Sequence, residues 1–578
     1  MKYSQYAKKY ASSLMIEINS SQRRYFLLCS IVILAFLVSR IFLIHLDIVE
    51  NWKAFYYQPI DEFYYNISAI DFLFGNDNNE LALSSLPSSI LFGGGIHNVI
   101  STVFLYIFGL ELYSIRLASV FTALSIVVIL TLVLNRYVSS KFVRIFSLLY
   151  LCSEASFLSA SIISEFSLSR MLVVITSFCI VCWAIRKNLV SNYFALGLST
   201  SLLVFFSYIT NVFILLAAFL LVTYIGKKSR FVIAYIVGVI IGTLFFVYFN
   251  YYFLSVDLIK EVRFLIDGFG SRVTVPSSES FIYRLYNNFL NFFDANFFRF
   301  NLFFLVYSTF SIFSLIILFK RLGNNEYLIV LVFILSFVLQ CLFINDFPYR
   351  KLITILPIFI LANTFFFDFI LKSKDHLSNL KIILLFSFTG LSLFGWISAP
   401  FFVSINDKWL YFVLILICFV LFTFVKNNML VFKINLLIMF IIPNIFCWYS
   451  IVNYDSKYSN SIKEMKDYIG NDILVGGFSY AYSASVSKPP LVNIYRYKNL
   501  KEEYLKDICT VVTHYQDSYD IYSIGVGAIH PTYNDYRFKS QIVRTWKINE
   551  PSSDRDIALY KISLLEPFCL NSKVTDGK

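Results

Sequence analysis

Residues 23–46 read RRYFLLCSIVILAFLVSRIFLIHL, a basic pair followed by a long apolar run. About 20 apolar residues are needed for a helix to cross a hydrocarbon core roughly 30 Å thick. Because Lys and Arg accumulate on the cytoplasmic side of membrane proteins, the basic pair places residues 1–24 in the cytoplasm. We therefore interpret the run from Tyr25 to about Leu46 as a first membrane span and not as a cleavable signal.

The composition of the whole chain favours a membrane protein. Of its 578 residues, 58% are hydrophobic and 15% are charged, and the mean hydropathy is +0.69. Soluble domains carry about 25% charged residues, so this composition argues against a soluble multi-domain enzyme. The 64 Phe and 40 Tyr residues exclude a disordered chain. The nine cysteines fit no metal-binding spacing, and most of them lie in apolar runs where packing is the expected role.

Further apolar runs alternate with short basic loops and bring the predicted number of membrane spans to about thirteen. Nearly every short loop on the predicted inner side is basic, as the positive-inside rule requires. A long polar segment, 256–300, is predicted to lie outside, either as a gating loop or as a cover of the cavity. The spans predicted after the first are Leu117–Leu134, Val143–Ile163, Met171–Ile185, 191–208, 211–225, Phe231–Phe253, Leu302–Phe319, Tyr327–Ile344, Leu352–Leu371, Ile382–Phe402, Leu410–Val425 and Leu430–Val452.

The first predicted outer loop, 47–115, contains a second apolar stretch, Val99–Leu110, after three consecutive glycines. A dozen residues at about 1.5 Å each cannot cross the hydrocarbon core. A span here would also move the later basic loops to the outside. We therefore predict an interfacial helix on the outer face.

The composition changes after Val452, and residues 453–578 are predicted to form a small α/β domain outside the membrane, next to a transmembrane domain over 25–452. A helical pattern is followed by short runs rich in β-branched and aromatic residues. Cys509 and Cys569 are the cysteines of this region, and whether they pair is left open. The predicted elements are a helix over Ser461–Ile469 and strands over Ile473–Val475, Leu491–Tyr495, Thr510–Thr513, Ile542–Trp546 and Ile557–Ile562.

Two polar sites flank predicted outer membrane boundaries. Asp61 and Glu62 follow the first span, where a carboxylate can serve as a general base or simply cap a helix. Arg350 and Lys351 lie on the predicted outer side, where basic residues are uncommon. Such a pair can bind a phosphate, or it can simply extend its charged ends to the membrane interface. His97 lies on the same predicted face, where a lone histidine is more often structural.

Together these elements resemble the GT-C superfamily of polyprenyl-phosphate-sugar glycosyltransferases, above all the protein O-mannosyltransferase and lipid A aminoarabinose transferase branch. The order and sidedness of the motifs carry the resemblance, which covers most of the chain. The motifs are Asp61-Glu62, Gly95-Ile96-His97-Asn98 before a short helix ending Phe108-Gly109, Ser114-Ile115-Arg116-Leu117, and Pro348-Tyr349-Arg350-Lys351 with Pro357.

The resemblance implies an enzyme that moves a sugar from a polyprenyl phosphate to an acceptor outside the cytoplasm, with inversion at the anomeric carbon. It implies Asp61 as the base beside Glu62, and Arg350, Lys351 and His97 as ligands of the donor phosphate. The implied partners are the lipid-linked sugar, an acceptor lipid, polysaccharide or protein, and membrane lipids, with no nucleic acid. The implied location is a bacterial inner membrane.

One departure from the family concerns a second acid in the next outer loop. Ser169 stands where relatives carry the acid, Glu165 lies one helical turn earlier, and Arg170 follows. A cation beside the site opposes a divalent metal, so no cofactor is expected and Glu165 is only a possible second acid. The second departure is the absence of the family's prolines around His97.

Glu154 is the residue on which a different class of protein depends. It falls near the middle of the predicted span Val143–Ile163, where an ionisable group is costly and so usually functional. A coupling residue there would favour a transporter or flippase of a lipid-linked glycan, whereas a neutral Glu bonded to Ser153 or Ser156 would be structural. A non-catalytic membrane protein that binds glycans is the third alternative.

Overall fold

The computed structural model is mostly helical, with one small sheet. Sequence numbers of the residues that it describes are 20–44, 66, 69–70, 73, 95–162, 167–207, 209–254, 312, 314–320, 324–343, 353–372, 433, 437, 457–475, 517–526, 538–546 and 557–564. The helices are α1 (Ser20–Leu43), α2 (Gly95–Phe108), α3 (Leu112–Tyr137), α4 (Lys141–Ser153), α5 (Ala155–Ile162), α6 (Ser167–Lys187), α7 (Val190–Ser207), α8 (Phe213–Gly226), α9 (Ser229–Leu254), α10 (Asn325–Phe343), α11 (Leu356–Lys372) and α12 (Lys457–Ile469). The strands are β1 (Ile473–Leu474), β2 (Ile521–Val526), β3 (Phe538–Trp546) and β4 (Ile557–Leu564).

Five helices in the described part of the chain are long and apolar enough to cross a membrane: α1, α3, α6, α7 and α9. Helices α2, α8, α10 and α11 are apolar but shorter. The chain is therefore a multi-pass membrane protein, as the sequence predicts. The spans predicted over Ile382–Phe402, Leu410–Val425 and Leu430–Val452 lie outside the described helices, so the number thirteen stays a prediction.

The prediction of one continuous span over Val143–Ile163 is wrong. The chain forms two helices there, α4 and α5, and Glu154 has extended backbone between them (φ −60°, ψ 128°). The Glu154 N–H still bonds to Tyr150 O at 2.9 Å, and its carboxylate accepts a bond from the Phe157 N–H at 2.7 Å. An acid that caps the next helix satisfies the backbone at the break, which lets the helix end inside an apolar run.

Glycines bring α7 and α9 unusually close together. A Cβ added at Gly197 would lie 2.1 Å from Tyr235 O, and one added at Gly238 would lie 2.3 Å from Phe194 O. Such contacts are possible only because both positions lack a side chain, as at other tight crossings of membrane helices. The two helices are therefore the most closely packed pair among the described helices.

At the end that carries the basic loops, Asp368 fastens α11 to the turn between α3 and α4. Its carboxylate accepts the backbone N–H of Ser140 at 2.7 Å and that of Ser139 at 3.2 Å, and Lys372 lies 2.8 Å away. The free donors at the start of α4 are thereby satisfied by a residue more than 200 positions away in the chain. This side of the bundle is called the inner side below, and the opposite side the outer side.

The strands form one sheet in the order β1-β2-β4-β3. Strands β1 and β2 are parallel, the other two pairs are antiparallel, and β3 has a register shift between Ile542 and Arg544. The predicted strands at Ile473, Ile542 and Ile557 and the helix ending at Ile469 are confirmed. Strand β2 was missed because Ser523 and Gly525 interrupt its apolar run, and the strands predicted at 491–495 and 510–513 lie outside the described residues.

Candidate functional site

Three arginines are fully buried toward the outer side of the bundle. Arg40 near the end of α1, Arg116 near the start of α3 and Arg170 in the first turn of α6 are each at most 1% exposed. Arginine keeps its charge under all ordinary conditions, so each buried guanidinium must be surrounded by polar acceptors. Each of these helices therefore carries a buried positive charge near its outer end.

Arg40 binds the broken helix pair α4–α5. Its Nε donates to Ser161 Oγ at 2.7 Å and its Nη2 donates to Cys152 O at 2.7 Å. The guanidinium also lies over the Phe36 ring at 4.4 Å. Since Cys152 is in the last turn of α4, Arg40 satisfies a carbonyl that the break leaves without a helical partner.

Arg116 and Arg170 hold two further outer segments. Arg116 Nη1 donates to Ile44 O at 2.9 Å, where the chain leaves α1 for the loop that contains Asp61. Arg170 Nε donates to Asn211 Oδ1 at 3.3 Å, and Asn211 in turn donates to Ser207 Oγ at 3.1 Å. Both guanidinium groups thus act on chain segments next to the predicted active-site loops.

The face of α2 that packs against the rest of the protein is largely polar. His97, Asn98 and Ser101 are buried, whereas Val99 is 67% exposed and Tyr106 is 79% exposed. This is the reverse of a helix on a soluble protein, and it suits a helix whose apolar face contacts lipid and whose polar face contacts the protein. A short helix is present where Val99–Leu110 was predicted, with bounds Gly95–Phe108, and its interfacial position on the outer face stays a prediction.

His97 is one of the predicted phosphate ligands and is 2% exposed. Burial lowers the pKa of His97 to about 4, so its imidazole is neutral near pH 7. A neutral imidazole can donate one hydrogen bond but adds no positive charge. Its contribution to a phosphate site would therefore be orientation, while arginine and lysine would supply the charge.

The other predicted site residues lie outside the described residues: Asp61, Glu62, Glu165, Arg350 and Lys351. Within the part of the chain that is described, no group of three His, Cys, Asp or Glu side chains is placed to hold a metal ion. The structure thus describes His97 and the helix ends that precede or follow those segments in the sequence.

Sequence reasoning missed Arg40 and assigned Arg116 no role of its own, although a signal was present. An arginine inside an apolar run is rare and usually faces the protein interior with a partner. Arg40 lies at position 16 of the run that begins at Tyr25, so its presence predicts a buried polar contact. The partners of Arg40 are Cys152 and Ser161, which lie 112 and 121 positions further along the chain. Nothing in the sequence around these two residues indicates that they contact an arginine.

For Glu154, the structure supports a capping role. We expect Glu154→Gln to keep thermal stability close to that of the unaltered protein, because the amide oxygen still accepts the Phe157 N–H. Glu154→Ala removes the cap and should cost about 0.5–2 kcal/mol of unfolding free energy. Thermal unfolding of the detergent-purified variants measures both, with Glu326→Gln as a control on a partly exposed carboxylate. An equal loss in both Glu154 variants would show that the negative charge matters instead.

The described helices define a multi-pass membrane protein. Two solved structures share this fold, both of ArnT from Cupriavidus metallidurans, a lipid A aminoarabinose transferase and GT-C enzyme. The structure bound to undecaprenyl phosphate matches with a TM-score of 0.57, 11% identity, and coverage of 93% of this chain and 98% of ArnT. The apo structure gives a TM-score of 0.54 and 11% identity over 91% and 97% of the two chains.

No protein-family model and no curated protein sequence matches the chain. The predicted resemblance to the GT-C superfamily is thus confirmed at the level of the fold. At 11% identity the shared fold does not identify the sugar, the acceptor or the catalytic groups.

Proposed function

We propose that this protein is a membrane glycosyltransferase that takes its sugar from a polyprenyl phosphate on the outer side of a bacterial inner membrane. The observation that carries the proposal is the match in fold to ArnT bound to undecaprenyl phosphate over nearly the whole of both chains. The three buried arginines, each near an outer helix end, add support, because a positively charged region there would attract an anionic donor.

The proposed reaction needs a base and an anion site. A hydroxyl or amine of the acceptor attacks the anomeric carbon, the bond from that carbon to the phosphate oxygen breaks, and the acceptor proton passes to Asp61. The leaving polyprenyl phosphate gains negative charge, which Arg350 and Lys351 stabilise. Glu62 lies beside the base, and neutral His97 contributes a hydrogen bond. Direct displacement of this kind inverts the anomeric configuration.

A reconstituted transfer assay tests the function. Purified protein in lipid nanodiscs is supplied with candidate polyprenyl-phosphate sugars, and the release of polyprenyl phosphate is measured. Mass spectrometry of envelope lipids and glycans from a deletion strain identifies the missing product. Release of the lipid phosphate that requires an acceptor supports the proposal, whereas a deletion strain with an unchanged set of envelope glycans contradicts it.

The transporter alternative depends on Glu154. A coupling acid should exchange its proton with solvent, whereas Glu154 accepts a backbone hydrogen bond and interacts electrostatically with Arg40. These contacts explain the intramembrane acid by structure alone and favour the enzyme. Transport of a lipid-linked glycan that is lost in Glu154→Gln, with transfer activity absent, would reverse this preference.

Arg350 is proposed to hold the donor phosphate. Arg350→Ala should therefore weaken donor binding by about 1.5–3 kcal/mol and also lower turnover, since charge-assisted bonds have this magnitude. Arg350→Lys should restore only part of the loss, because lysine cannot form the bidentate contact that a guanidinium makes with a phosphate. Donor affinity is measured by titration in nanodiscs, with Arg230→Ala in the first turn of α9 as the control. Unchanged donor affinity in Arg350→Ala would indicate that Arg350 only extends its charge to the membrane interface and does not bind the donor.

Turnover is proposed to be independent of a divalent metal. Hard metal ions need several oxygen ligands, and the second outer loop offers only Glu165, displaced by one turn and followed by Arg170. We therefore expect activity to survive EDTA, and Glu165→Gln to cost much less than Asp61→Asn. Loss of activity in EDTA with recovery in magnesium or manganese would make Glu165 the leading candidate for a second metal ligand.

A further inference from the structure

Two serine hydroxyls, one on α2 and one on α3, are buried without a hydrogen-bond partner among the described residues. Ser101 of α2 is 0% exposed and Ser119 of α3 is 1% exposed. A hydroxyl in a helix can bond to the carbonyl four residues earlier, as Thr102 does with Asn98 O at 2.8 Å. Since neither serine uses this option, both hydroxyls remain unsatisfied in a buried position, which destabilises the arrangement that buries them.

Helices α2 and α3 form an antiparallel hairpin with a short turn. The Phe108 ring lies 6.3 Å from the Tyr113 ring, and the Phe104 ring lies 5.8 Å from the Phe121 ring, so residues pair in reverse order away from the turn. The turn contains Gly109, whose φ of 82° is readily adopted only by glycine. In the part of the chain that the structure describes, a Cβ added there would meet no neighbour within 4 Å. The joint between α2 and α3 therefore has room to change its angle.

Ser101 and Ser119 occupy matching positions in this hairpin. Leu105 and Ile115, which lie nearer the turn, belong to one apolar cluster. Ser101 is four residues before Leu105, and Ser119 is four residues after Ile115. Because residues four apart share a face of a helix, both serines follow the faces through which α2 and α3 pack. The two unsatisfied hydroxyls therefore lie at the contact between these helices, called the α2–α3 seam below.

The sheet domain holds the turn end of the hairpin. Lys466 Nζ of α12 lies 2.5 Å from Oε1 of Glu111, which directly precedes α3. Leu105 shares its apolar cluster with residues of α12 and of the strands. Among the described residues, the first two turns of α2, from Gly95 onward, contribute none to this cluster. A movement of α2 would therefore pivot near Gly109 and be greatest at its first turns.

We infer that α2 is a lid that pivots near Gly109 and opens the α2–α3 seam toward the lipid. In the closed position its apolar residues face outward, with Val103 52% exposed, while Asn98 and Ser101 are buried. Opening lets water or a polar ligand satisfy both serine hydroxyls, so the closed position has a cost that the open position avoids. Resting on the proposed function, the inference assigns the lid to admission of the polar, sugar-bearing head of the lipid-linked donor.

Hydrogen exchange of the backbone amides of α2 tests the lid without any substrate. Ser119→Ala removes one unsatisfied hydroxyl from α3 and leaves α2 unaltered. It should stabilise the closed position and slow exchange over 97–102 by about fivefold to a hundredfold. Ser125→Ala is the matched control, because it makes the same change in α3 at a hydroxyl that donates to Phe121 O at 3.0 Å. Unchanged exchange in Ser119→Ala, or equal slowing in both variants, would overturn the inference.

The transfer assay tests what the lid admits. If the donor enters through the opened seam, Ser119→Ala should lower kcat/KM for the donor by the same factor by which it slows exchange, because fewer molecules are open at any time. Ser125→Ala should leave kcat/KM unchanged. Slowed exchange with unchanged kcat/KM would overturn the assignment of the lid to donor admission. A protein whose exchange responds as expected but that transfers no sugar would count against the proposed function and not against the lid.

Discussion

Asp61→Asn is expected to lower the rate of sugar transfer by about a hundred- to ten-thousand-fold, because an amide cannot take the proton of the acceptor. The substitution keeps the size of the side chain, so folding and donor binding should be unchanged. The rate is measured as release of polyprenyl phosphate in nanodiscs at saturating donor.

The neighbouring acid provides the comparison for this result. Glu62→Gln should cost less than Asp61→Asn if Asp61 is the base, and Glu154→Gln should leave transfer unaffected because its amide oxygen can still cap α5. A variant that keeps full activity with asparagine at position 61 would remove the assignment of the base. A chain that transports a lipid-linked glycan normally with the same substitution would argue for the transporter class.

Gly238→Ala is expected to have the largest effect on stability. Its new Cβ would lie 2.3 Å from the Phe194 carbonyl oxygen and 2.9 Å from the Leu198 nitrogen, both backbone atoms that cannot turn away. Helices α7 and α9 must then separate, and forced overpacking of this kind costs about 1–3 kcal/mol. Gly238→Val should cost more, and the midpoint of thermal unfolding in detergent measures both.

Gly226→Ala is the control for the glycine prediction. A Cβ there would meet the Phe231 side chain at 3.3 Å and no backbone atom. Alanine also has a higher helix propensity than glycine, by up to about 1 kcal/mol, which offsets a small contact. Equal losses at positions 226 and 238 would show that the α7–α9 distance does not limit stability.

The positions of the membrane helices could be predicted because apolar length and basic loops are local properties of the sequence. The ends of α3, α6 and α9 extend the predicted spans by only a few residues. The break at Glu154 could not be predicted in the same way. A polar Ser153-Glu154 pair in an apolar run fits either a continuous helix with a buried acid or two helices with a cap, and only the neighbouring Arg40 decides between them.

The candidate site likewise has one part that local sequence properties predict and another part that depends on long-range packing. Asp61 and Arg350 could be predicted from the sequence because polar charged residues at the outer ends of apolar runs indicate loops at the membrane boundary. The contacts of Arg116 with Ile44 and of Lys466 with Glu111 join residues 72 and 355 positions apart. No periodicity or motif encodes such pairs, because they depend on how complete helices pack.

The contact of Arg40 with α4 and α5 has a consequence for the order of membrane insertion. Arg40 is synthesised 121 residues before Ser161, so α1 enters the bilayer while its polar partners do not yet exist. An unpartnered guanidinium near a helix end can reach the headgroup region by extending its side chain. We therefore expect α1 to reach its final depth only after α4 and α5 supply the partners of Arg40.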